Sequence, residues 1–451
     1  MSNEKAKFAS KAGLIAATVG SAVGLGNIWR FPAETQANGG AAFLIVYIAC
    51  VFLLGIPVMI AEFSLGRAGG SDAVGSFKNL GARKGWWGVG ALSIISSYAI
   101  LCFYMVVTGW TFEYLLQSVT GYLYEPVTTL PPEGSNLTGN AWQFTSRMNE
   151  FLYEGVNPLI NTYAVIIIDL IILIIGVQKG IERLSNVLMP LLFLILVSFC
   201  GVVMTLPGAS EGIAYFFKPD FSAITPSTCI NALGQAFFSL SLGMGVLLTY
   251  SSYYKPDVKL AKTAVTVSML DLLVSVMMGI IIFPSVISFG LNNETLEGTS
   301  LVFITLPDVF THLPLTQFWS ALFFLLLFVA AITSTISISE VAVAFFADRF
   351  RLSRVKACCI VLLPLFVFST LCSESVTLFN ALDNVATNIL LPLVSLGICV
   401  YVGWCAPKDM LEKQLTNNGT LHSRVLPAIN FIIRWIAPVL IVAVLASYFL
   451  K

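Results

Sequence analysis

The sequence has very little charge and almost no histidine. Of its 451 residues only 11% are charged and two are histidine, whereas 57% are hydrophobic. Soluble domains carry about a quarter charged residues and just under half apolar ones. The composition therefore indicates a polytopic membrane protein and excludes most classes of soluble enzyme. Because Lys+Arg and Asp+Glu are 24 each, no net charge favours binding to nucleic acid.

The sequence also lacks any pattern typical of a metal centre or a disulfide framework. Its nine cysteines are scattered, mostly within apolar runs, and no two are spaced as CxxC. The two histidines, His312 and His422, lie far apart in polar segments. These absences argue against metal-dependent or histidine-based catalysis.

Apolar runs separated by Gly, Pro and charged residues predict a chain that crosses the membrane many times. A helix needs roughly 20 apolar residues to cross about 30 Å of hydrocarbon. On this basis the sequence predicts eleven membrane-spanning helices, near residues 12–37, 42–69, 88–121, 158–176, 184–206, 226–253, 260–289, 317–347, 356–372, 376–403 and 427–449.

The distribution of Lys and Arg predicts the orientation in the membrane. Most of them lie in the N-terminal segment and the even-numbered connections, while Arg30 and Arg434 lie within spans. By the positive-inside rule, the N-terminus is cytoplasmic and the C-terminus is outside, in an inner or plasma membrane. The long polar excursion 122–157 then lies outside, where Asn136 is either a glycan acceptor or a chance sequon. The stretch 406–425 is a cytoplasmic connection.

Two spans contain glycine clusters at mid-membrane depth. The first includes GSAVGLGNIWRFP from Gly20 to Pro32, and the sixth includes GQAFFSLSLGMG from Gly234 to Gly245. Small residues in one span also suit simple helix packing. Non-helical backbone at this depth persists only where it is buried in protein or lines a cavity, and paired interruptions point to the central site of a transporter. Spans 1–5 and 6–10 would then form inverted repeats.

These segments, together with NGGAAFLIVY from Asn38 to Tyr47, resemble the neurotransmitter:sodium symporter family. The resemblance extends from about residue 8 to residue 403. It implies an all-α polytopic membrane protein with eleven helices, a LeuT-like 5+5 inverted repeat and broken helices 1 and 6. The first repeat would cover residues 1–206, the second 207–403, and a connection with helix 11 residues 404–451.

The resemblance also implies a substrate site between the broken helices. Family members that carry monoamines have Asp at the position of Gly24, so its absence favours an amino acid. Flexible Met244 in an apolar lining favours a hydrophobic side chain. Tyr104 matches a tyrosine that contacts the substrate carboxylate, although a lone Tyr in a span is also a common interfacial anchor. The implied substrate-binding residues are Ser21, Ala22, Leu25, Gly26, Ile100, Tyr104, Phe238, Ser239, Ser241, Met244, Ser334 and Ile338.

Two Na⁺ ions are implied as cofactors, and hard cations take oxygen ligands. Site 1 would use Ala22, Asn27, Ser239 and Asp271, and site 2 would use Gly20, Val23, Ala330, Thr333 and Ser334. Ser and Thr in membrane helices often bond only to their own helix. Asp271 is a stronger signal, because a carboxylate inside an apolar span is costly and functional by default.

Further roles are carried over from the family. Arg30 and Asp383 would form an outer gate with Phe238 as a lid, and Lys5 and Asp348 an inner gate. Lys5 stands where Arg is usual and lacks its bidentate fork, which weakens that gate.

Three more positions are implied to support or move the backbone. Glu62 would bond to the broken backbone of spans 1 and 6, with proton coupling as its alternative. Gly180 and Pro190 either unwind the cytoplasmic end of helix 5 or form a static kink.

The predicted function is sodium-coupled import of hydrophobic L-amino acids, branched aliphatic or aromatic, by alternating access and without chloride. Carriage of another zwitterion (a compatible solute or a GABA-like molecule) and proton-coupled transport remain alternatives. A channel would need a continuous polar lining, and a membrane enzyme a paired nucleophile and base, but no histidine lies in any span. The expected partners are the amino acid, sodium and membrane lipid, while the oligomeric state stays open.

Overall fold

The computed structural model describes residues 7–81, 85–127, 139–153, 157–289 and 300–450. Within these ranges the regular structure is helical throughout, without strands. We number the helices in chain order as α1 Lys11–Ala22, α2 Gly26–Ala37, α3 Ala41–Gly69, α4 Ala73–Asn79, α5 Trp87–Thr120, α6 Gly139–Tyr153, α7 Pro158–Ile175, α8 Val177–Val203, α9 Ala209–Phe217, α10 Pro226–Ser239, α11 Val246–Ser251, α12 Leu260–Ser288, α13 Leu301–Thr311, α14 Thr316–Phe350, α15 Arg354–Glu374, α16 Val376–Cys405, α17 Met410–Leu415 and α18 Leu426–Tyr448.

The predicted spans correspond closely to the observed helices. In the described part of the chain nine helices are long and apolar enough to cross a membrane, and α1 with α2 forms a tenth span bent by 53°. The remaining predicted span, 226–253, consists of α10 and α11, neither of which is long enough to cross alone. The predicted breaks in spans 1 and 6 are therefore confirmed. The division into repeats at residues 206 and 403 stays a prediction.

The connections contain helices that the apolar pattern did not predict. Helix α6 lies in the polar excursion, α9 and α13 lie between spans, and α17 lies in the connection 406–425. They are short or amphipathic, so a search for long apolar runs does not detect them. Asn136 lies outside the described residues.

Helix packing places both breaks in the middle of the bundle. Helix α14 packs along α5, and α1 packs against both α12 and α14. We call the end of the bundle at which α1 begins the N-terminal face. The opposite end, into which a large cavity opens, is called the vestibule face.

The Gly180–Pro190 segment is helical in this conformation. Helix α8 begins at Val177 rather than at the predicted residue 184, because residues 177–182 form a wide π-helical turn in which the Ile181 amide donates to the Gly176 carbonyl at 3.2 Å. Gly176 has a φ of +101° and ends the preceding span. Pro190 lies inside continuous helix. Unwinding of this segment stays a prediction.

The start of α1 is held by a buried carboxylate of α8. Glu182 accepts hydrogen bonds from the Ala9 amide at 2.7 Å and from the Ser10 amide and hydroxyl at 3.0 and 2.9 Å. Ser10 in turn caps α1 by accepting from the Gly13 amide at 2.9 Å. The first amides of a helix have no partner within the helix, so these bonds fix where α1 begins.

We expect Glu182→Ala to release this segment. Amide hydrogen exchange of residues 9–14 should become about tenfold faster, the equivalent of about 1.4 kcal/mol from lost hydrogen bonds. Glu374→Ala, at the exposed end of α15, is the control and should leave this exchange unchanged. Equal exchange in both variants would show that Glu182 does not hold the start of α1.

Candidate functional site

The break in the first span exposes backbone that side chains partly satisfy. Between α1 and α2 the Gly24 amide donates to Asn27 Oδ1 at 3.0 Å. The Leu25 amide donates to the Tyr104 hydroxyl on α5, also at 3.0 Å. Tyr104, an uncertain candidate in the sequence, therefore lies directly at the break.

The break in the sixth span depends on backbone that only a few residues adopt easily. Ser241, Gly243 and Gly245 have φ angles of +54°, +78° and +73°. A side chain at Gly243 would also collide with the Leu391 carbonyl of α16. Glycine at this position is therefore required by both conformation and space.

Polar side chains from neighbouring helices hold the second break. The Gly243 amide donates to Glu62 Oε1 of α3 at 2.8 Å, whereas the predicted bond of this carboxylate to span 1 stays a prediction. Ser241 Oγ donates to the Ser21 carbonyl at 2.8 Å and links the two breaks. Ser97 Oγ of α5 donates to the Met244 carbonyl. Glu62 is fully buried, and its described contact is with the sixth span alone.

The residues predicted for sodium site 1 lie together. Ser239 Oγ is 2.9 and 2.8 Å from the two carboxylate oxygens of Asp271, and Asn27 Nδ2 is 2.7 Å from Oδ1. Ala22, the fourth predicted member, is the last residue of α1. Tyr47 and Ser275 join the cluster, with Tyr47 OH 3.4 Å from Asp271 Oδ2 and Ser275 Oγ 2.9 Å from Asn27 Nδ2. The oxygens of Asp271 and Ser239 suit a hard cation, whereas Asn27 presents its amide nitrogen to them and its Oδ1 to the Gly24 amide.

The residues predicted for sodium site 2 converge where α1 meets α14. Ser334 Oγ lies 3.5 Å from both the Gly20 and Val23 carbonyls and 3.1 Å from the Ala330 carbonyl. Thr333 Oγ1 is 3.1 Å from the same Ala330 carbonyl. Thr333 bonds only within its own helix, whereas Ser334 also reaches across to the carbonyls of the first span. Cross-helix convergence of carbonyl and hydroxyl oxygens is suited to binding Na⁺ without water.

A cavity of about 740 Å³ leads from the breaks to the vestibule face. Leu25, Tyr104 and Phe238 from the predicted substrate set line it, together with aromatic residues that sequence reasoning missed: Trp29, Phe103, Trp110 and Phe379. The apolar candidates Ile100, Met244 and Ile338 are buried. Aromatic residues in apolar spans are indistinguishable from core residues in the sequence, so nothing marked them as lining.

The predicted outer gate residues line this cavity but are arranged differently. Arg30 lies over the Phe238 ring at 4.8 Å and pairs with Glu34 at 3.9 Å. Asp383 Oδ1 accepts from Thr387 Oγ1 at 3.1 Å. Arg30 and Asp383 both face the vestibule without a direct ion pair between them in the described structure. The pairing of these two residues stays a prediction for another conformation.

The N-terminal face is closed by aromatic and ionic contacts. Phe8 is 2% exposed and packs edge-on against Tyr250 and Tyr253. Asp348 accepts a hydrogen bond from the Asp72 amide at 3.1 Å, while its predicted partner Lys5 lies outside the described residues.

A buried ionic network at this face was missed in the sequence. Arg354 pairs with Glu340 at 2.7 Å, and Tyr253 OH donates to the same carboxylate at 2.7 Å. Glu340 satisfies the rule that singled out Glu62 and Asp271, since it is an acid inside an apolar span. Applying that rule to every span would have found it.

Comparison with known proteins identifies the family. Residues 5–129 and 143–451 match the model of the sodium:neurotransmitter symporter family. The chain belongs to the sodium:neurotransmitter symporter family. The protein is therefore an integral membrane transporter of a sodium-using family, as the resemblance predicted.

Relatives of this symporter include proteins from distant organisms. It is 33% identical to an "uncharacterized sodium-dependent transporter" of Haemophilus influenzae over 98% of both chains. It is 28% identical to the bovine sodium-dependent dopamine transporter, covering 94% of this chain and 66% of that one. The crystal structure of MhsT in complex with L-phenylalanine matches with a TM-score of 0.87 and 38% identity, covering 98% of this chain and 99% of that one. The predicted LeuT-like helical fold is thereby confirmed.

The space around Gly24 generates a prediction for this symporter. A Cβ at Gly24 would lie 2.7 Å from both the Tyr104 hydroxyl and Ser334 Oγ. We expect Gly24→Ala to displace both groups and weaken sodium-dependent substrate binding at least about tenfold, or about 1.4 kcal/mol.

The matched control is Gly234→Ala in α10. A Cβ at Gly234 meets nothing within 4 Å, so binding should remain at the wild-type value. Scintillation proximity binding with purified protein compares the two variants. Unchanged affinity in Gly24→Ala would contradict the assignment of this break as the binding site.

Proposed function

We propose that the protein couples the inward movement of two Na⁺ ions to import of a hydrophobic L-amino acid. The observation that carries this proposal is the absence of space at Gly24, between Tyr104 and Ser334. No acidic side chain fits there, so the substrate must bring its own carboxylate to the break. The Tyr104 hydroxyl, which accepts from the Leu25 amide, keeps its proton to donate to that carboxylate, and a free amine would offer it no anion.

The surroundings support an apolar side chain. Leu25, Phe103 and Phe238 line the vestibule near the breaks, and Ile100 and Met244 lie buried in the predicted pocket. The similar MhsT structure contains L-phenylalanine. Apolar surface gains about 25 cal/mol per Å² when it leaves water, which favours large aliphatic and aromatic substrates over small or charged ones.

The two oxygen clusters support coupling to sodium. Asp271 and Ser239 would bind one ion beside the substrate, and Ser334 with the Gly20 and Val23 carbonyls would bind the second. Each charge that crosses 100 mV supplies about 2.3 kcal/mol, so two ions supply about 4.6 kcal/mol. That energy supports roughly thousandfold accumulation before any sodium gradient is added.

The positions of charge and cavity support the direction of transport. Lys and Arg predominate in the connections at the N-terminal face, which supports a cytoplasmic location for this face. The vestibule then opens to the outside, and the contacts of Phe8, Glu340 and Arg354 close the inside. Import requires these contacts to open while Arg30 and Phe238 close over the substrate.

Competition in proteoliposomes tests the substrate class. With an inward sodium gradient, leucine, isoleucine, phenylalanine and tryptophan should reduce uptake of labelled phenylalanine at micromolar concentration. Tryptamine and phenethylamine, which lack the carboxylate, should not compete. Replacing sodium by choline should abolish uptake, and a proton gradient should not restore it. The proposal would be contradicted if hydrophobic amino acids did not compete, while the amines, GABA or betaine did.

The cluster around Asp271 predicts chloride-independent transport. Tyr47, Ser239 and Ser275 surround this carboxylate, which would supply the negative charge that the sodium ion needs. A chloride ion beside it would be repelled, because like charges a few ångströms apart interact strongly where the effective dielectric is low. Wild-type uptake should be equal in chloride and gluconate.

Removing this charge should create a requirement for chloride. In Asp271→Asn, uptake should fall about tenfold or more in gluconate and recover in chloride, since the hydroxyls remain to bind the anion. Asp169→Asn, at a buried carboxylate on α7 that bonds to Thr335 at 3.1 Å, is the control and should stay chloride-independent. A wild type that stops transport in gluconate would refute the prediction.

A further inference from the structure

An arginine inside the last span has a setting that transport does not explain. Arg434 lies in α18, and its guanidinium carbon is 4.3 Å from the centre of the Trp404 ring and 5.8 Å from that of Trp435. Trp404 belongs to the end of α16, where its indole N–H donates to the Arg434 carbonyl at 3.1 Å. The two rings contact each other edge to face at 4.5 Å. A cation is thus held between two aromatic side chains from different helices.

Among the described residues this cation has no anionic partner. None of the ion pairs among the described residues includes Arg434, and its buried Nε has no hydrogen-bond partner. A charged side chain within an apolar span is costly and is normally paired or engaged with a ligand. Contact with aromatic rings compensates only part of that cost. The remaining guanidinium donors therefore need an acceptor from outside the chain.

The depth and exposure of the cluster indicate where this acceptor comes from. Trp404 lies one residue before the end of α16, and a Cβ at Gly403 would be 3.0 Å from the Arg434 Cα, so both residues lie at the same level. The polar connection 406–425 follows directly. Trp404 and Trp435 are 47% and 49% exposed on the outer surface of the bundle. Half-exposed tryptophans beside a basic residue are typical of the membrane interface.

We propose that Arg434, Trp404 and Trp435 form a binding site for the phosphate of an anionic phospholipid at the N-terminal face. The planar guanidinium donates parallel hydrogen bonds that match phosphate oxygens, and its positive charge complements the lipid's negative one. The tryptophan rings contact the glycerol and upper acyl region, which a free phosphate lacks. Basic pockets between membrane helices at the level of the head groups bind lipids in this way.

Lipid titration of the purified full-length protein tests this site. Thermal unfolding and native mass spectrometry are followed while phosphatidylglycerol, phosphatidylcholine or inorganic phosphate is added to wild type, Arg434→Gln and Arg424→Gln. Arg424 lies exposed in the connection 406–425, so its variant removes the same charge at the same face. Wild type and Arg424→Gln should bind phosphatidylglycerol tightly and unfold at a higher temperature, and Arg434→Gln should bind it at least about tenfold more weakly.

Three results would overturn the site: equal binding of phosphatidylglycerol by Arg434→Gln and Arg424→Gln, equal stabilisation of wild type by phosphatidylcholine, or equal stabilisation by inorganic phosphate. Where Arg434→Gln does not fold, Arg434→Lys and Arg424→Lys replace the pair, because both keep the charge. Only Arg434→Lys loses a guanidinium plane that lies against two tryptophan rings, and it should bind phosphatidylglycerol more weakly. Equal binding by these two variants would equally overturn the site.

Discussion

Backbone amides and carbonyls without partners cost several kcal/mol each in hydrocarbon, and this constraint organises the centre of the molecule. Two helices are interrupted in the middle of the bundle, and side chains bond to only some of the backbone amides and carbonyls that the interruptions expose. Asn27 and Tyr104 engage amides of the first break, and Glu62 and Ser97 engage the second. The carbonyls of Gly20 and Val23 converge on Ser334, where a cation could complete their coordination. The proposed sites for charged ligands thus use backbone groups that a continuous helix would have paired internally.

The two ends of the bundle differ in their access to this centre, since one is open and the other is closed by side-chain contacts. At the vestibule face Arg30, Phe238 and Asp383 line open space, where Arg30 lies over the Phe238 ring and no ion pair joins it to Asp383 in the described part of the chain. At the N-terminal face Glu182 of α8 bonds to Ala9 and Ser10 at the start of α1, and the Phe8 ring packs on Tyr250 of α11. The Glu340–Arg354 pair joins α14 to α15 at the same face. A transporter that alternates must exchange these arrangements. Since Glu182 belongs to the π-helical turn at Gly180, release of α1 and unwinding of α8 would be mechanically connected.

Much of the candidate site was predictable because it contains residue types that are unusual inside apolar spans. Glycines at mid-span marked both breaks, and Asp271 and Glu62 were conspicuous acids in apolar runs. The contact of Glu182 with the start of α1 was not predictable. In the sequence this residue resembles any acid at the end of a span, and only the packing of α1 against α8 reveals its partners. The aromatic lining of the vestibule was not predicted either, because an apolar residue in the sequence does not show whether its side chain faces a cavity or the core. The pairing of Arg30 with Glu34 is an i,i+4 contact that helical spacing allows, but the sequence does not tell whether Arg30 pairs with Glu34 or with Asp383 in a given conformation.

The most direct test of the central claim is a sodium titration of equilibrium phenylalanine binding to purified protein, in wild type and Ser334→Ala. If the two breaks create two cation sites beside the substrate, binding should require sodium and show a Hill coefficient approaching about two in wild type. Removing the Ser334 hydroxyl, which meets three carbonyls of α1 and α14, should reduce it toward about one and shift the midpoint to higher sodium. Phenylalanine binding that is independent of sodium, or a titration unchanged in Ser334→Ala, would contradict the account.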